Sequence, residues 1–141
     1  MENNPITRVS LALDESLSRK LDEMVHSSGY DNRSEFVRDM IREQLVTRAW
    51  EASGAEVLGT ITLLYNHHQR ELCAKLTEIQ HDAKVRILAA THVHLTHELC
   101  AEMIMATGKP EAIRELHLEL RKPRGMLHAA LSMSSAGDEL K

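Results

Sequence analysis

Residues 7–46 contain one segment of alternating character followed by two amphipathic segments. Between Arg8 and Leu13, the apolar residues Val9, Leu11 and Leu13 alternate with polar or small residues, which predicts a half-buried β-strand. One strand and two helices of this length cannot bury a sufficient core, and a lone strand leaves its backbone groups unpaired. The economical solution is a symmetric dimer in which two copies of the strand pair antiparallel.

Two helices are predicted after this strand. Asp14 is placed to cap the first helix, and Gly29 stands where a left-handed C-terminal cap is needed. Residues 32–35 then open the second helix. Apolar residues recur at helical spacing in both, which predicts two buried stripes: Leu17, Leu21, Met24 and Val25 in the first helix, and Phe36, Val37, Met40, Ile41 and Leu45 in the second.

A dimer with this strand-helix-helix order is a ribbon-helix-helix arrangement, which we assign to residues 1–48. The paired ribbon fits a DNA major groove, with an outward row formed by Arg8, Ser10 and Ala12. The N-terminus of the second helix would present backbone N–H groups to a DNA phosphate at Asn32, Arg33 and Ser34. The alternative is that Asn32 and Ser34 only cap the helix and that Arg33 is solvated. The net charge of the chain is −4, so DNA binding depends on local placement.

A second group of candidate functional residues lies within residues 91–100. His92 and His94 are alternate residues, so they would share one face of a strand. Residues 96–98 are sufficient for a tight reversal, after which an antiparallel strand would bring Cys100 level with the two histidines. Imidazole and thiolate donors suit a borderline first-row divalent ion rather than magnesium or calcium. Zinc would favour a tetrahedral site, and nickel or copper a flat one. Without a metal, the histidines would be ordinary surface or core residues.

The position of His81 limits its possible role. It ends the helix before the strand that carries His92 and His94. A strand rises about 3.3 Å per residue, which places His92 more than about 20 Å from the start of its strand. If His81 is the fourth ligand, it therefore comes from another subunit.

The other metal-binding residue types are given structural roles. Cys73 lies on the predicted buried side of its helix and is interpreted as a small hydrophobic residue. Met103 and Met105 are interpreted as core residues, and His67 and His68 as solvated or hydrogen-bonded residues at a helix start.

Residues 56–134 predict a second domain with the order strand, helix, strand, strand, helix, strand. We expect residues 49–55 to be a linker and residues 135–141 a frayed tail. With 141 residues, the chain allows one ordinary domain or two small domains that gain stability as an oligomer. It has no apolar run long enough to span a bilayer and no signal-peptide pattern at its N-terminus, so we expect a cytoplasmic protein with free thiols.

These motifs resemble the NikR-type nickel-responsive transcriptional regulators. The resemblance rests on residues 8–11, on residues 29–35, and on Gln80-His81 followed by His92-Val93-His94 and Cys100. It implies an α+β protein with a ribbon-helix-helix domain, a βαββαβ ACT-like (ferredoxin-like) regulatory domain, and a homotetramer built as a dimer of dimers. It also implies one nickel(II) per subunit, in a planar site made by His92, His94 and Cys100 of one subunit and His81 of a neighbouring subunit. Glu35 and Asp39 match positions that hold a second, oxygen-ligated cation in the family.

The function predicted from these observations is nickel-dependent repression, by binding of operator DNA, of nickel-uptake genes. The alternative is a ribbon-helix-helix regulator that senses zinc, copper or a small organic ligand. An enzyme is not expected: Glu98 could serve as a base beside the metal, but four protein ligands leave no position for an activated water.

Overall fold

The computed structural model describes residues 5–52 and 54–140. The first four residues of the predicted DNA-binding domain, Ser53 of the predicted linker and Lys141 of the predicted tail lie outside the described residues. The chain divides into two compact units, residues 1–41 and residues 42–141. No helix within the described residues is both long and apolar enough to cross a membrane.

The N-terminal unit contains helix α1 (Glu15–Ser27) and the beginning of helix α2 (Arg33–Glu51). A carboxylate oxygen of Asp14 accepts a hydrogen bond from the backbone N–H of Leu17 at 2.9 Å, and Gly29 has a φ of +74°. Asn32 caps α2 by accepting from the backbone N–H of Glu35 at 3.0 Å. The predicted helix ends are therefore confirmed, because each uses the side chain or the glycine that the sequence indicated.

The strand predicted between Arg8 and Leu13 is absent from the single chain. Residues 5–14 form neither helix nor strand, and Val9 and Leu11 are 78% and 65% exposed. A strand requires ladder hydrogen bonds to a second extended segment, and the two helices of this unit cannot supply them. The buried stripes are also incomplete for lack of a partner surface: of the predicted residues, only Val25 and Phe36 are buried.

Helix α2 continues farther than the sequence predicted. Its last residue is Glu51, so the expected irregular linker over residues 49–55 is helical in its first three residues. Trp50 explains this continuation, because it is 1% exposed and packs with Val57 and Ile113 in the C-terminal unit. Its indole N–H donates to the carbonyl oxygen of Ser134 at 2.8 Å, which satisfies the polar group of a buried aromatic residue.

The C-terminal unit has the predicted βαββαβ order. Its elements are β1 (Val57–Asn66), α3 (Leu72–Asp82), β2 (Arg86–His94), β3 (Leu99–Gly108), α4 (Pro110–Leu120) and β4 (Met126–Ser135). The strands form one antiparallel sheet in the order β2-β3-β1-β4. The expected frayed tail is wrong in two places: Ser135 is buried as the last residue of β4, and Asp138–Leu140 forms a 3-10 turn.

Both helices of this unit contribute to a core on one face of the sheet. Ile61, Leu63 and Ile104 from the strands are fully buried with residues of α3 and α4, namely Leu72, Leu76, Leu116 and Leu120. Helix α4 approaches β1 closely at Gly59, where an added Cβ would lie 2.7 Å from a methyl carbon of Ile113. Met103 and Met105 alternate to the opposite face and are 49% and 39% exposed. Their prediction as core residues is therefore wrong for the single chain.

Candidate metal centre

The hairpin formed by β2 and β3 has the register that the sequence predicted. His94 is paired with Cys100, and His92 is paired with Glu102. The connecting turn is held by its own hydrogen bonds, since the backbone N–H of Leu95 donates to the carbonyl of Leu99 at 2.9 Å. Residues directly opposite in an antiparallel pair lie on the same face. The hairpin thus gathers two histidines, one cysteine and one glutamate on the helix-covered face.

Cys100 and His94 form the closest pair of candidate ligands. The sulfur of Cys100 lies 3.2 Å from Nδ1 of His94, with the thiol fully buried and the imidazole exposed. Burial raises the pKa of the Cys100 thiol, with a smaller contribution from Cys73, so the metal-free group keeps its proton at neutral pH. The two atoms face each other, as two donors to one ion would.

The second histidine of the hairpin is oriented by a hydrogen-bonded chain. The phenol of Tyr65 lies 3.1 Å from Oε2 of Glu102 and 3.0 Å from Nδ1 of His92. Burial, reinforced by Glu102, raises the pKa of Tyr65, so the phenol keeps its single proton and donates it to the carboxylate. His92 must then donate from Nδ1 to the phenol oxygen, which leaves the lone pair of Nε2 for a metal. The amide of Gln80 donates to the other oxygen of Glu102 at 3.2 Å.

His67 belongs to the cluster, whereas the sequence predicted only a solvated or hydrogen-bonded histidine at this position. Its ring nitrogen, a nitrogen of His94 and the sulfur of Cys100 all lie within 4.8 Å of one another. Nδ1 of His67 is 3.1 Å from the carbonyl oxygen of Glu98. A carbonyl only accepts, so Nδ1 carries the proton and Nε2 has a free lone pair. The position of His67 follows from the sheet topology. β1 pairs with β3, which brings the end of β1 beside Cys100.

Two of the predicted ligands, His92 and His81, are not among these grouped atoms, and neither is Cys73. His81 lies in the last turn of α3 and is exposed, and among the described residues it does not join the atoms grouped around Cys100. Cys73 is exposed rather than buried, which corrects its interpretation as a small core residue. Helix α3 contacts the sheet through its buried residues Leu72 and Leu76, and Cys73 lies on a different side of the helix.

The donor set at the hairpin fits nickel(II). Its grouped atoms are imidazole nitrogens and a cysteine sulfur, and the cluster contains no carboxylate oxygen. Nitrogen and sulfur donors select borderline first-row ions over magnesium or calcium.

The residues predicted to contact DNA lie in the N-terminal unit. Arg8, Ser10 and Ala12 are exposed within residues 5–14. Arg33 makes a two-pronged ion pair with Asp22, in which both N···O distances are 2.6 Å. This contact occupies the guanidinium, and it holds the pKa of Asp22 below its usual range.

The two residues considered for a second cation both have hydrogen bonds to neighbouring side chains. A carboxylate oxygen of Asp39 accepts from the phenol of Tyr30 at 2.6 Å. Glu35 accepts from the side-chain amide of Asn32 at 3.4 Å.

The sequence matches known families in both units. Residues 58–134 match the family described as NikR C terminal nickel binding domain. The chain belongs to this family of nickel-responsive regulators. Residues 7–48 match the ribbon-helix-helix proteins of the copG family. Together with the βαββαβ sheet, these matches confirm the predicted fold class and the prediction of a nickel-responsive DNA-binding regulator.

Individual relatives extend this likeness over nearly the whole chain. A relative from Solibacter usitatus, named for nickel-responsive regulation, is 40% identical over 96% of this chain and 98% of its own length. A relative of the same name from Chlorobium phaeobacteroides is 43% identical, covering 93% of this chain and 97% of its own. Among solved structures, the ACT domain of a GTP pyrophosphokinase from Chlorobium tepidum superimposes with a TM-score of 0.48 and 12% identity, covering 55% of this chain and all of that domain.

Proposed function

We propose that this regulator represses nickel-uptake genes in the cytoplasm, as a homotetramer that binds operator DNA when nickel is present. The observation that carries the proposal is the buried Cys100 sulfur 3.2 Å from Nδ1 of His94. A buried thiol and an imidazole that face each other are a suitable pair of donors for a thiophilic ion. This pair belongs to the C-terminal unit, and the predicted DNA contacts belong to the N-terminal unit. The metal would therefore act as an effector of DNA binding.

The site that we propose takes His92, His94 and Cys100 from one subunit and His81 from a neighbouring subunit, with one nickel per subunit. His92 is oriented by Tyr65 so that Nε2 is available. His81 is exposed on α3, where a second chain can reach it. Nickel(II) with nitrogen and thiolate donors favours a flat four-coordinate arrangement. A ligand drawn from a second chain makes metal binding depend on how the subunits are arranged.

The chain formed by Gln80, Glu102, Tyr65 and His92 supports this shared site. Gln80 precedes His81 in α3, and its amide is bound to Glu102 at 3.2 Å. Tyr65 connects the same carboxylate to His92. Gln80, which is next to His81, is therefore joined by hydrogen bonds to His92 of the same chain. A shift of α3 would change the position of His92. Such outer contacts fix ligand orientation and tautomer.

The DNA-binding unit would act as a dimer. The exposed segments of residues 5–14 from two chains would pair into a ribbon, burying Val9 and Leu11 and directing Arg8, Ser10 and Ala12 toward the bases. Asn32 and Ser34 lie at the N-terminus of α2, where backbone N–H groups favour a phosphate. Arg33 would add a phosphate contact by exchanging Asp22 for DNA.

The oxygen ligands of a second cation would come from Glu35 and Asp39. Both belong to the first two turns of α2. Carboxylate oxygens suit a hard cation and not the ion bound at Cys100.

Nickel and DNA would be coupled through the tetramer. A coupling of this kind is typically ~1–3 kcal/mol, and it is reciprocal, so DNA tightens nickel as much as nickel tightens DNA. The dimeric ribbons contribute together only in subunit arrangements that the shared metal sites favour.

The test is a DNA-binding titration with a fragment from upstream of nickel-uptake genes in the source genome, with and without nickel(II). A scrambled fragment of equal length is the control. We expect tight binding only to the upstream fragment and only with nickel, and the reciprocal tightening of nickel by that fragment. Equal DNA binding with and without nickel would contradict nickel-gated repression. Equal DNA binding with zinc(II) and with nickel(II) would contradict it as well.

A further inference from the structure

The C-terminal end of α2 is held in the C-terminal unit by Trp50. The indole is 1% exposed, and its N–H donates to the carbonyl oxygen of Ser134 in β4. A guanidinium N–H of Arg114 in α4 donates to the carbonyl oxygen of Trp50 at 3.1 Å, and the central guanidinium carbon lies 5.4 Å from the centroid of the indole ring. Trp50 is therefore bound to β4 and to α4 through polar and cation–π contacts as well as through apolar packing.

These contacts lie at the end of a helix that belongs to both units. The boundary between the units falls after Ile41, inside the uninterrupted helix α2. Residues 33–41 of this helix belong to the unit with the predicted DNA contacts, and residues 42–51 belong to the unit with the metal cluster. A helix is a stiffer connection than an irregular loop. A displacement of its anchored end is therefore transmitted along the helix, whereas a loop would absorb it.

The anchor of α2 packs against a residue with close neighbours on several sides. Trp50, Val57 and Ile113 form a buried cluster, the Trp50 cluster, and Val85 packs against it. Val85 also packs against the main core of the unit. A Cβ added at Gly108 would lie 3.2 Å from a methyl carbon of Val85. In an interior packed this closely, a shift of Val85 moves its neighbours.

Val85 also lies between two elements that carry proposed nickel ligands. It follows α3, whose last turn contains His81, and it immediately precedes β2, which carries His92 and His94. In the proposed shared site, His81 binds the nickel of a neighbouring subunit, while His92 and His94 bind the nickel of their own subunit. Nickel binding would restrain the segment around Val85, because ligands then lie on both sides of it. The residue that contacts the Trp50 cluster is thus placed to respond to nickel.

We propose that Trp50 is a positioning residue for nickel-dependent DNA binding, a role that rests on the proposed function. Trp50 supplies neither a nickel ligand nor a DNA contact. It fixes the end of α2 to the segment that precedes β2, so the arrangement of that segment favoured by nickel selects an arrangement of α2. Arg114 supports Trp50 by binding its carbonyl group and its ring face. Loss of these contacts leaves both binding sites intact and weakens the coupling between them.

The experiment compares Trp50→Phe and Arg114→Met with the unsubstituted full-length protein. Affinity for the fragment from upstream of nickel-uptake genes is measured with and without nickel(II), and the ratio of the two affinities gives the coupling. Both variants should reduce this ratio by about 2–30-fold, the usual effect of a residue that couples two sites. Nickel affinity without DNA, measured by competition with a chelator, and DNA affinity without nickel should stay at the wild-type values.

Arg121→Met is the matched control, because it replaces an exposed arginine at the end of α4 and should change none of these quantities. Circular dichroism establishes that each variant is folded. If Trp50→Phe does not fold, Arg114→Met decides the question, since Arg114 is exposed and its replacement leaves the core unchanged.

A purely structural role for Trp50 predicts a different result. DNA affinity would then fall equally with and without nickel, so the ratio would stay at its wild-type value, and this outcome would overturn the positioning role. A wild-type ratio with unchanged affinities in a folded variant would overturn it as well. Equal DNA affinity with and without nickel in the unsubstituted protein would instead contradict the proposed function, and the positioning role with it.

Discussion

The sulfur of Cys100 lies 3.2 Å from Nδ1 of His94, across the first pair of the β2–β3 hairpin. One partner is fully buried and the other is exposed. The thiol is thus shielded from solvent on the core side, while an ion can reach it through the imidazole side. An ion that approaches from this side would meet the imidazole and the sulfur together.

Removing the sulfur should remove the spectroscopic signature of the site. Cys100→Ser is expected to lose nearly all thiolate-to-metal absorption with nickel(II), because serine is a poor ligand for a thiophilic ion, and to keep its fold. The absorption spectrum and circular dichroism check the two expectations. Cys73→Ser is the matched control, since Cys73 is exposed and outside the cluster. A full band in Cys100→Ser would assign the sulfur ligand elsewhere.

The hydroxyl of Tyr65 should tune metal binding without touching the metal. Tyr65→Phe removes the acceptor of the His92 Nδ1 proton, so we expect nickel affinity to fall by about 10–100-fold, the usual effect of losing an outer partner of a ligand. Competition with a chelator measures the change. Tyr30→Phe, in the N-terminal unit, should leave nickel affinity unchanged. Wild-type affinity in Tyr65→Phe would show that the hydroxyl does not orient His92.

Nickel affinity should rise with pH. Burial raises the pKa of the Cys100 thiol, and a ligating sulfur must be a thiolate, so each bound nickel releases one proton from this group. Between about pH 7 and 8, which is below the ordinary pKa of a thiol, the loss of this one proton should make the affinity rise about tenfold per pH unit. Proton release on nickel addition, measured in weakly buffered solution, checks this. Release of no proton in that range would mean that the thiol is already ionised in the free protein.

The same raised pKa has an opposite effect on the metal-free fold. A group whose pKa is higher in the folded state stabilises the fold fully at pH values below its unfolded pKa. That contribution is lost as the pH rises through the folded pKa. Alkaline pH therefore favours metal binding and disfavours the metal-free fold.

Two arginines in the DNA-binding unit should have different effects on binding. Arg8→Ala should weaken binding to the specific sequence by ~1–3 kcal/mol, because the proposed contact of Arg8 with a base would be lost. Arg33→Ala should weaken binding to all sequences alike and reduce the salt dependence, because the proposed contact of Arg33 with a phosphate would be lost. Salt titrations on specific and scrambled DNA distinguish the two. Equal, sequence-independent effects from both variants would show that Arg8 reads no base.

Local patterns in the sequence were sufficient to predict the helices, the four strands of the C-terminal unit and the hairpin. The alternation of His92 and His94 and the short reversal before Cys100 determine which residues face each other, and the observed pairing of His94 with Cys100 follows. The caps at Asp14 and Gly29 are likewise local, so they were predictable. These features depend on residues close together in the chain.

Features that depend on distant contacts were missed or misread. His67 reaches Cys100 only because β1 pairs with β3, which the local pattern does not state. Alternation in β3 shows that Met103 and Met105 share one face of the sheet. It does not show that the helices cover the opposite face and leave these two residues exposed. The segment between Arg8 and Leu13 has the pattern of a strand, yet its hydrogen-bond partner would be a second chain.

Each nickel site is proposed to be shared between two chains, and subunit mixing tests this sharing directly. His81→Ala and Cys100→Ala each lack one proposed ligand, so each alone should lose tight nickel binding. In a hybrid pair, the intact hairpin of the His81→Ala chain meets the intact His81 of the Cys100→Ala chain, which restores one of two sites.

Nickel titration of the reassembled mixture should therefore recover thiolate absorption and tight binding, up to half the normal sites per hybrid pair. Subunit exchange is established separately with two differently tagged chains. No recovery after proven exchange would contradict the shared site, and His81 would then have no part in binding nickel.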